Sequence, residues 1–231
     1  MEKLKMTATL LALIPAYNEA NLIAEVITKT RQHLPVLVVD DGSRDDTAAK
    51  AEAAGATVLR QIPNQGKGAA LRRGFQYALE NGYDAVLSLD ADGQHDPAEA
   101  PKFIQYFTET GADLIIGHRN FDQMPLVRRI SNTVGTSLFS WATGTPILDN
   151  QSGYRLLSRR MIEALLEGLE AGFEFEMEQI VVCMERDYKL AWVPIRTIYA
   201  GETSHIRPLH HVWNFVRVSL QTRKRLSQKV S

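Results

Sequence analysis

The sequence is short of several things, and each shortage removes a class of protein. A single cysteine, Cys183, stands among 231 residues. No internal disulfide can form, and no thiolate-rich zinc site can be built. No run of eighteen apolar residues occurs, so nothing reads as a bilayer-spanning helix. The formal net charge of -1 lacks the basic excess that drives global affinity for nucleic acid. Internal repeats, low-complexity tracts and linkers are also missing. What remains, 45% apolar and 23% charged, is a globular composition of a length that suits one domain. Lys3 and Lys5 ahead of Leu10-Leu11-Ala12-Leu13-Ile14 imitate a signal peptide. The apolar stretch is too short for one and runs directly into Pro15-Ala16-Tyr17-Asn18-Glu19, so it is read as a buried strand. A cytoplasmic location is expected, in keeping with the lone cysteine.

Acidic residues are absent from one region. From His205 to Ser231 there are six of the 26 Lys and Arg and none of the 27 Asp and Glu. The remainder is therefore weakly acidic, and the chain divides into a body, 1–207, and a basic tail, 208–231. The tail interleaves Leu209, Val212, Trp213, Phe215, Val216 and Leu220 with Arg217, Arg223, Lys224, Arg225 and Lys229. That pattern suits an interfacial amphipathic helix on anionic lipid, on the cytoplasmic face of a membrane. Val218 interrupts the polar face, so packing on the body or a dimer contact is the alternative reading. His210 and His211 are adjacent, a poor spacing for metal.

Short apolar runs alternate with helical periodicity over the first half, which predicts a parallel sheet built from βαβ units. Strands are expected at Thr9–Ile14, Val36–Asp40, Ala56–Arg60, Ala85–Leu89 and Asp113–Ile116. Helices are expected over Leu22–Leu34, through Gly55, and onward from Gly68. The second half is less regular. It reads as helices at Leu126–Ala142, Arg159–Leu169 and Phe175–Arg186, a loop or strand lead-in at Asp149–Arg155, and a strand at Leu190–Ile198.

Polar residues gather at the expected carboxyl ends of the strands, where α/β proteins bind ligands. In Asp90-Ala91-Asp92-Gly93-Gln94, carboxylates at i and i+2 after a buried strand can turn toward one hard divalent cation, Mg²⁺ or Mn²⁺. A surface turn is the plainer explanation of the same residue types. An EF-hand is excluded, because the twelfth position counted from Asp90 is Pro101 and the glycine is fourth. A phosphatase of the haloacid-dehalogenase type is disfavoured by Gln94 and by the long α/β segment that precedes the motif. Asp40-Asp41-Gly42-Ser43 places further acids at a strand end, able to accept from a base or ribose, while Ser43 or Asp45 can cap the next helix. Tyr17 offers a ring for stacking and Glu19 an acceptor. Asn64-Gln65-Gly66-Lys67-Gly68 lacks the first glycine and the Ser/Thr of a P-loop, yet it is a glycine-rich helix start carrying a lysine, useful near phosphate.

In order, Pro15–Glu19, Val39–Thr47, Asn64–Ala70 and Asp90–Gln94 resemble the motifs of the family 2 glycosyltransferases. Gly117-His118-Arg119, Arg128-Arg129, Asp149–Arg155 and Val193-Pro194-Ile195 look most like the polyprenyl-phosphate branch, of which dolichol-phosphate mannosyltransferase is the type. The resemblance runs from about Leu10 to Pro208. It implies a GT-A fold, a single Rossmann-like α/β domain with a mixed central sheet flanked by helices, and inverting transfer of a hexose from a GDP- or UDP-sugar. By position, Pro15, Tyr17, Glu19, Asp40, Asp41, Lys67 and Asp90 would hold the nucleotide, and Asp90, Asp92 and Gln94 the Mg²⁺ or Mn²⁺. Arg119, Arg128, Arg129 and Ser204 would hold the phosphate of a dolichyl or undecaprenyl acceptor, with Asp92, Asp149 and Arg119 nearest the chemistry. An anionic phosphate needs cations rather than a base; a sugar hydroxyl would need one, and Asp149 is the candidate. Arg155 is read as structural. Where some members carry Ser-Lys, this chain has Ser204-His205 and then Arg207. Many bacterial members continue into transmembrane helices; here the basic tail stands instead. Expected partners are the donor, the polyprenyl phosphate, a membrane surface, and a membrane protein or second copy, without nucleic acid. A saccharide-hydroxyl acceptor and a non-catalytic nucleotide-sugar binder remain as alternatives. A sugar nucleotidylyltransferase would open on a Gly-rich loop with Arg and Lys in place of Pro15–Glu19.

Overall fold

Strand β1, Leu10–Ala16, is buried at every position, as a central strand covered by helices on both faces must be. The computed structural model describes residues 8–124, 126–168, 175–196, 198 and 208–229. After β1 come α1 (Ile23–Thr30), β2 (Val36–Asp40), α2 (Thr47–Ala53), β3 (Thr57–Arg60), α3 (Lys67–Glu80) and β4 (Ala85–Ser88). Then follow α4 (Ala100–Thr110), β5 (Leu114–Arg119), α5 (Leu126–Thr143), β6 (Arg155–Ser158), α6 (Arg159–Glu167), α7 (Phe175–Glu185), β7 (Leu190–Ile195) and α8 (Pro208–Lys229).

The strands form one seven-stranded sheet in the order β3-β2-β1-β4-β6-β5-β7. Alternate side chains divide the core between its faces. Leu11, Leu13, Leu37, Val39 and Val86 meet α3, α6 and α7, while Leu10, Ala12, Ile14, Val36 and Val38 meet α1, α2 and α4. The first four strands pair in parallel, as the alternating pattern predicts. The segment 95–112, to which the sequence reading assigns no element, forms α4, with Ala100 and Phe103 buried. Strand β6 falls at the end of the expected loop, and its direction is the main departure from a parallel sheet. It runs antiparallel between β4 and β5, with Arg155 opposite both Ser88 and Ile116. Ser158 ends β6 and caps α6, its Oγ accepting from Met161 N at 3.3 Å. The last strand ends at Ile195, short of the expected Ile198.

The described part of the tail lies on the body. Helix α8 packs against α5 and α7, burying Ser219 and Thr222. The Arg223 guanidinium sits 4.3 Å from the Trp141 ring centroid, and Arg225 reaches Glu178 and Glu185 on α7 at 2.9 and 2.8 Å. Leu220 stays exposed. The side chains of Leu209, Val212, Trp213 and Phe215 lie outside the described residues. Among the described residues no helix is long and apolar enough to cross a membrane.

At the end of the sheet away from the carboxyl ends of β1, β2 and β4, Asp113 ties three strands together. Its carboxylate accepts from Ser158 Oγ and from Lys189 N, both at 2.9 Å, and pairs with Arg160. Burial alone would raise its pKa; the Arg160 guanidinium, Lys189 N–H and Ser158 hydroxyl outweigh it and leave the pKa lowered. A lowered folded-state pKa stabilises the fold above the ordinary Asp value near ~3.9, and that stabilisation is lost as pH falls through the folded value. Asp113→Asn should therefore cost about 2 kcal/mol at neutral pH. It should also flatten the loss of stability between about pH 5 and pH 2, read from urea midpoints across that range.

Candidate active site

Strand order places the site. The chain leaves β1 for β2 and β3 on one side, then crosses to β4 on the other. A crevice opens where the connections diverge, outside the carboxyl ends of β1 and β4. There a cleft of about 480 Å³ is lined by Pro15, Tyr17, Glu19, Asp41, Lys67, Asp90 and Asp92 among others. Its upper wall is two loops stitched together. Asn18 N donates to Ser43 Oγ at 2.9 Å, Arg44 N to Asn18 Oδ1 at 2.8 Å, and Glu19 N to Thr47 Oγ1 at 2.8 Å. The Tyr17 ring is partly exposed on this wall.

The two acids after β2 face different ways. Asp40 is buried beneath the loop, its Oδ1 accepting from Ser43 N at 3.1 Å. Asp41 lines the cleft, but its carboxylate is engaged by the next loop. Oδ1 accepts from Gln61 Nε2 at 2.7 Å and Gln65 N at 2.8 Å, and Oδ2 from Gly66 N at 2.7 Å. Gly66 has φ +90, a conformation open to glycine and strained for other residues. This turn starts α3 at Lys67 and aims the first turn of the helix into the cleft.

Lys67 Nζ lies 2.6 Å from Asp90 Oδ1 and 2.9 Å from Glu176 Oε1. Burial would lower the lysine's pKa, but the two carboxylates prevail and raise it. Burial likewise pushes Asp90 upward; Lys67, His95 and Arg119 outweigh it and hold the acid down at about 2. Glu176 is lowered in the same way, burial opposing and Lys67 and Arg155 winning. His95 is buried, and its Nδ1 accepts from Asp90 N at 3.1 Å. Burial lowers its pKa against the pull of Asp90 and Asp92. The imidazole leans on the Tyr154 ring, which stacks on Phe103 of α4.

The antiparallel course of β6 brings the loop before it to this same end of the sheet. Asp149 and Arg119, thirty residues apart, form a two-point pair there: Nε to Oδ2 at 2.7 Å and Nη2 to Oδ1 at 3.0 Å. Asp149 Oδ1 also accepts from Gln151 N and Ser152 N at 3.1 Å. A carboxylate so occupied orients Arg119. Arg155 is fully buried, donating to the carbonyls of Ser152 at 2.7 Å, Asn150 at 3.0 Å and Glu176. Burial brings its pKa down to about 10. It fastens the loop before β6 to the first turn of α7. Arg129 stands apart on α5, half exposed and paired with Asp122 at 2.8 Å. The side chain of Arg128 and all of Ser204 lie outside the described residues.

Sequence reading missed Glu176, His95 and Gly153. An acid in the first turn of a helix reads as a complement to the helix dipole, and nothing local pairs Glu176 with Lys67. His95 directly follows the acidic motif, which was the available signal.

Asp90 and Asp92 suit a divalent cation in chemistry. Both are hard oxygen donors on one loop, and a cation, the Lys67 ammonium, already sits on Asp90. Asp92 Oδ1 is shaped by Gln94 N at 2.9 Å. Among the described residues no group of three or more Asp, Glu, His or Cys side chains is placed to hold a metal ion. Two carboxylates would leave the rest of the shell to donor phosphates and water, as is usual for Mg²⁺. Gly153 lies directly under this carboxylate, and a Cβ there would stand 2.7 Å from Asp90 Oδ2. Gly153→Ala should therefore displace Asp90 while leaving the fold intact. We expect Mn²⁺ affinity to fall about tenfold with an unchanged circular dichroism spectrum, and equal affinity would remove the assignment.

Comparison with known proteins gives the family and the fold. Residues 12–166 match the model of glycosyl transferase family 2. The chain is 30% identical over 213 residues to a UDP-N-acetylglucosamine–dolichyl-phosphate N-acetylglucosaminyltransferase of Methanococcus voltae, spanning 81% of this chain and 84% of that protein. It is 30% identical over 203 residues to an undecaprenyl-phosphate mannosyltransferase of Micrococcus luteus, with 80% and 82% covered. Glucosyl-3-phosphoglycerate synthase of Mycobacterium tuberculosis, solved with Mn²⁺, UDP and glucosyl-3-phosphoglycerate, superposes with a TM-score of 0.70 at 23% identity over 94% of this chain and 80% of that one. The fold is the GT-A fold, and the chain belongs to glycosyl transferase family 2.

Proposed function

We propose that this protein transfers a hexose from a nucleoside diphosphate sugar to a polyprenyl phosphate, with inversion and with a divalent cation, at the cytoplasmic face of a membrane. The observation that carries the reading is Arg119. Its guanidinium is fixed by Asp149 and acts electrostatically on Asp90, so it presents an oriented, always-charged group beside the donor cleft. The relatives named for dolichyl- and undecaprenyl-phosphate acceptors support the same choice.

Each residue then has a task. Tyr17, Glu19 and Asp41 line the nucleotide pocket, and Asp41 holds the Gly66 turn in place. Asp90 and Asp92, with Gln94 shaping the loop, would hold the cation. When bound, Mg²⁺ or Mn²⁺ supplies positive charge to the departing diphosphate. Arg119 helps to hold the acceptor phosphate, whose oxygen attacks the anomeric carbon. The bond to the donor diphosphate breaks, and its electron pair leaves with the nucleoside diphosphate. One displacement from the opposite face inverts the centre. A phosphate nucleophile is already anionic, so no base is required, which suits a site where Asp149 is committed to Arg119.

A membrane surface is supported by α5. Leu126, Ile130, Val134 and Trp141 are 69%, 55%, 61% and 48% exposed and follow helical spacing along one stripe. The helix begins soon after Arg119, and Arg217 and Lys224 of α8 are exposed nearby in the fold. Such a stripe beside basic residues suits an interfacial helix.

The direct test is transfer of labelled sugar from a panel of UDP- and GDP-sugars to a short polyprenyl phosphate with Mn²⁺. Label in the lipid phase, abolished by EDTA, is expected. Arg119→Lys should lower kcat/KM about a hundredfold through loss of the two-point pair. Label appearing only on a saccharide would discard the lipid acceptor, and nucleotide binding without turnover would indicate a sensor. The membrane part is checked separately: Ile130→Glu with Val134→Glu should abolish co-sedimentation with anionic vesicles.

A further inference from the structure

Lys67 touches both functions of the cleft. It opens α3, so its ammonium stands at the helix's positive end, and it is retained there by Asp90 at 2.6 Å and Glu176 at 2.9 Å. Asp90 is also the carboxylate that, with Asp92, would take a divalent cation. A divalent cation held by Asp90 would stand within a few ångströms of the ammonium on Oδ1, and two cations so close to one another repel. The two therefore oppose each other at the same carboxylate. Glu176 changes the outcome of the competition. It is mostly buried, its helix is fastened to the loop before β6 by Arg155, and it offers the ammonium a second carboxylate.

We infer that Lys67 is the resident counter-ion of Asp90, that an arriving divalent cation displaces it from that oxygen, and that Glu176 keeps the displaced ammonium in the cleft. The released charge is then available to the donor diphosphate, so Glu176 is a positioning residue acting through Lys67. The inference rests on the metal-assisted transfer proposed above. It differs from a simple binding role for Lys67, because it makes the lysine an obstacle to the metal before the donor arrives.

Mn²⁺ binding to the full chain without nucleotide, followed by electron paramagnetic resonance of the free ion, tests it apart from activity. Lys67→Met should bind Mn²⁺ about tenfold more tightly than the unaltered protein. The gain should survive about 0.5 M salt, since contact competition is screened far less than a distant field. Glu176→Gln should weaken Mn²⁺ binding severalfold when Lys67 is present, and change it little in the Lys67→Met background. Equal or weaker binding by Lys67→Met would overturn the inference, as would no Mn²⁺ bound by either form, because removing the ammonium must relieve that opposition. Additive effects of the two substitutions would remove Glu176 from it. Sugar transfer with an unchanged Mn²⁺ affinity in Lys67→Met would leave the proposed function standing and discard only the competition.

Discussion

A carboxylate taken out of water must be met by positive charge, or it takes up a proton. Asp90 is met by the Lys67 ammonium in contact and by the more distant Arg119 guanidinium, with the His95 imidazole packed beside it. Each partner comes from a different part of the chain, and each is itself fixed. Lys67 is placed by the Gly66 turn that Asp41 grips, His95 by its bond from the Asp90 backbone, and Arg119 by Asp149. Much of the irregular structure at this end of the sheet therefore exists to hold one ionised oxygen pair where a ligand can reach it.

The direction of β6 makes this possible. A parallel strand between β4 and β5 would send its leading loop to the far end of the sheet. Running the other way, β6 carries Asp149, Asn150, Ser152 and Gly153 toward the Asp90 end. Gly153 is small enough to lie beneath the Asp90 carboxylate. Arg155, at the first position of the strand, locks the loop through backbone carbonyls. The departure from parallel order and the assembly of the site are one event.

The first half was legible because its signals are local. Apolar runs that end in Asp or Asn give strands with loaded ends, and β1, β2 and β4 fall where periodicity puts them. Asp90, Asp92, Asp41 and Lys67 reach one cleft as the strand-end rule requires. Less was visible beyond residue 95. Helix α4 lies between a turn and a strand in a stretch with weak punctuation, and β6, Arg155-Leu156-Leu157-Ser158, holds only two apolar residues, too few to stand out as an apolar run. The partnership of Lys67 with Glu176 arises only when α7 folds against α3's first turn. Asp149 shows the same limit in reverse: its residue type suggested a base, and only its neighbours reveal a carboxylate committed to Arg119.

Helix α8 has a meaning for α7 that its composition conceals. Glu185 closes α7 at the end where a helix carries partial negative charge, and Glu178 lies earlier on the same helix. A terminal acid there is unfavourable by itself. Arg225 spans both carboxylates and sets a further positive charge against the end of α7, beside Arg186. The segment that reads as a basic tail is, electrically, a counter-charge to the C-terminal end of the helix whose other end holds Glu176.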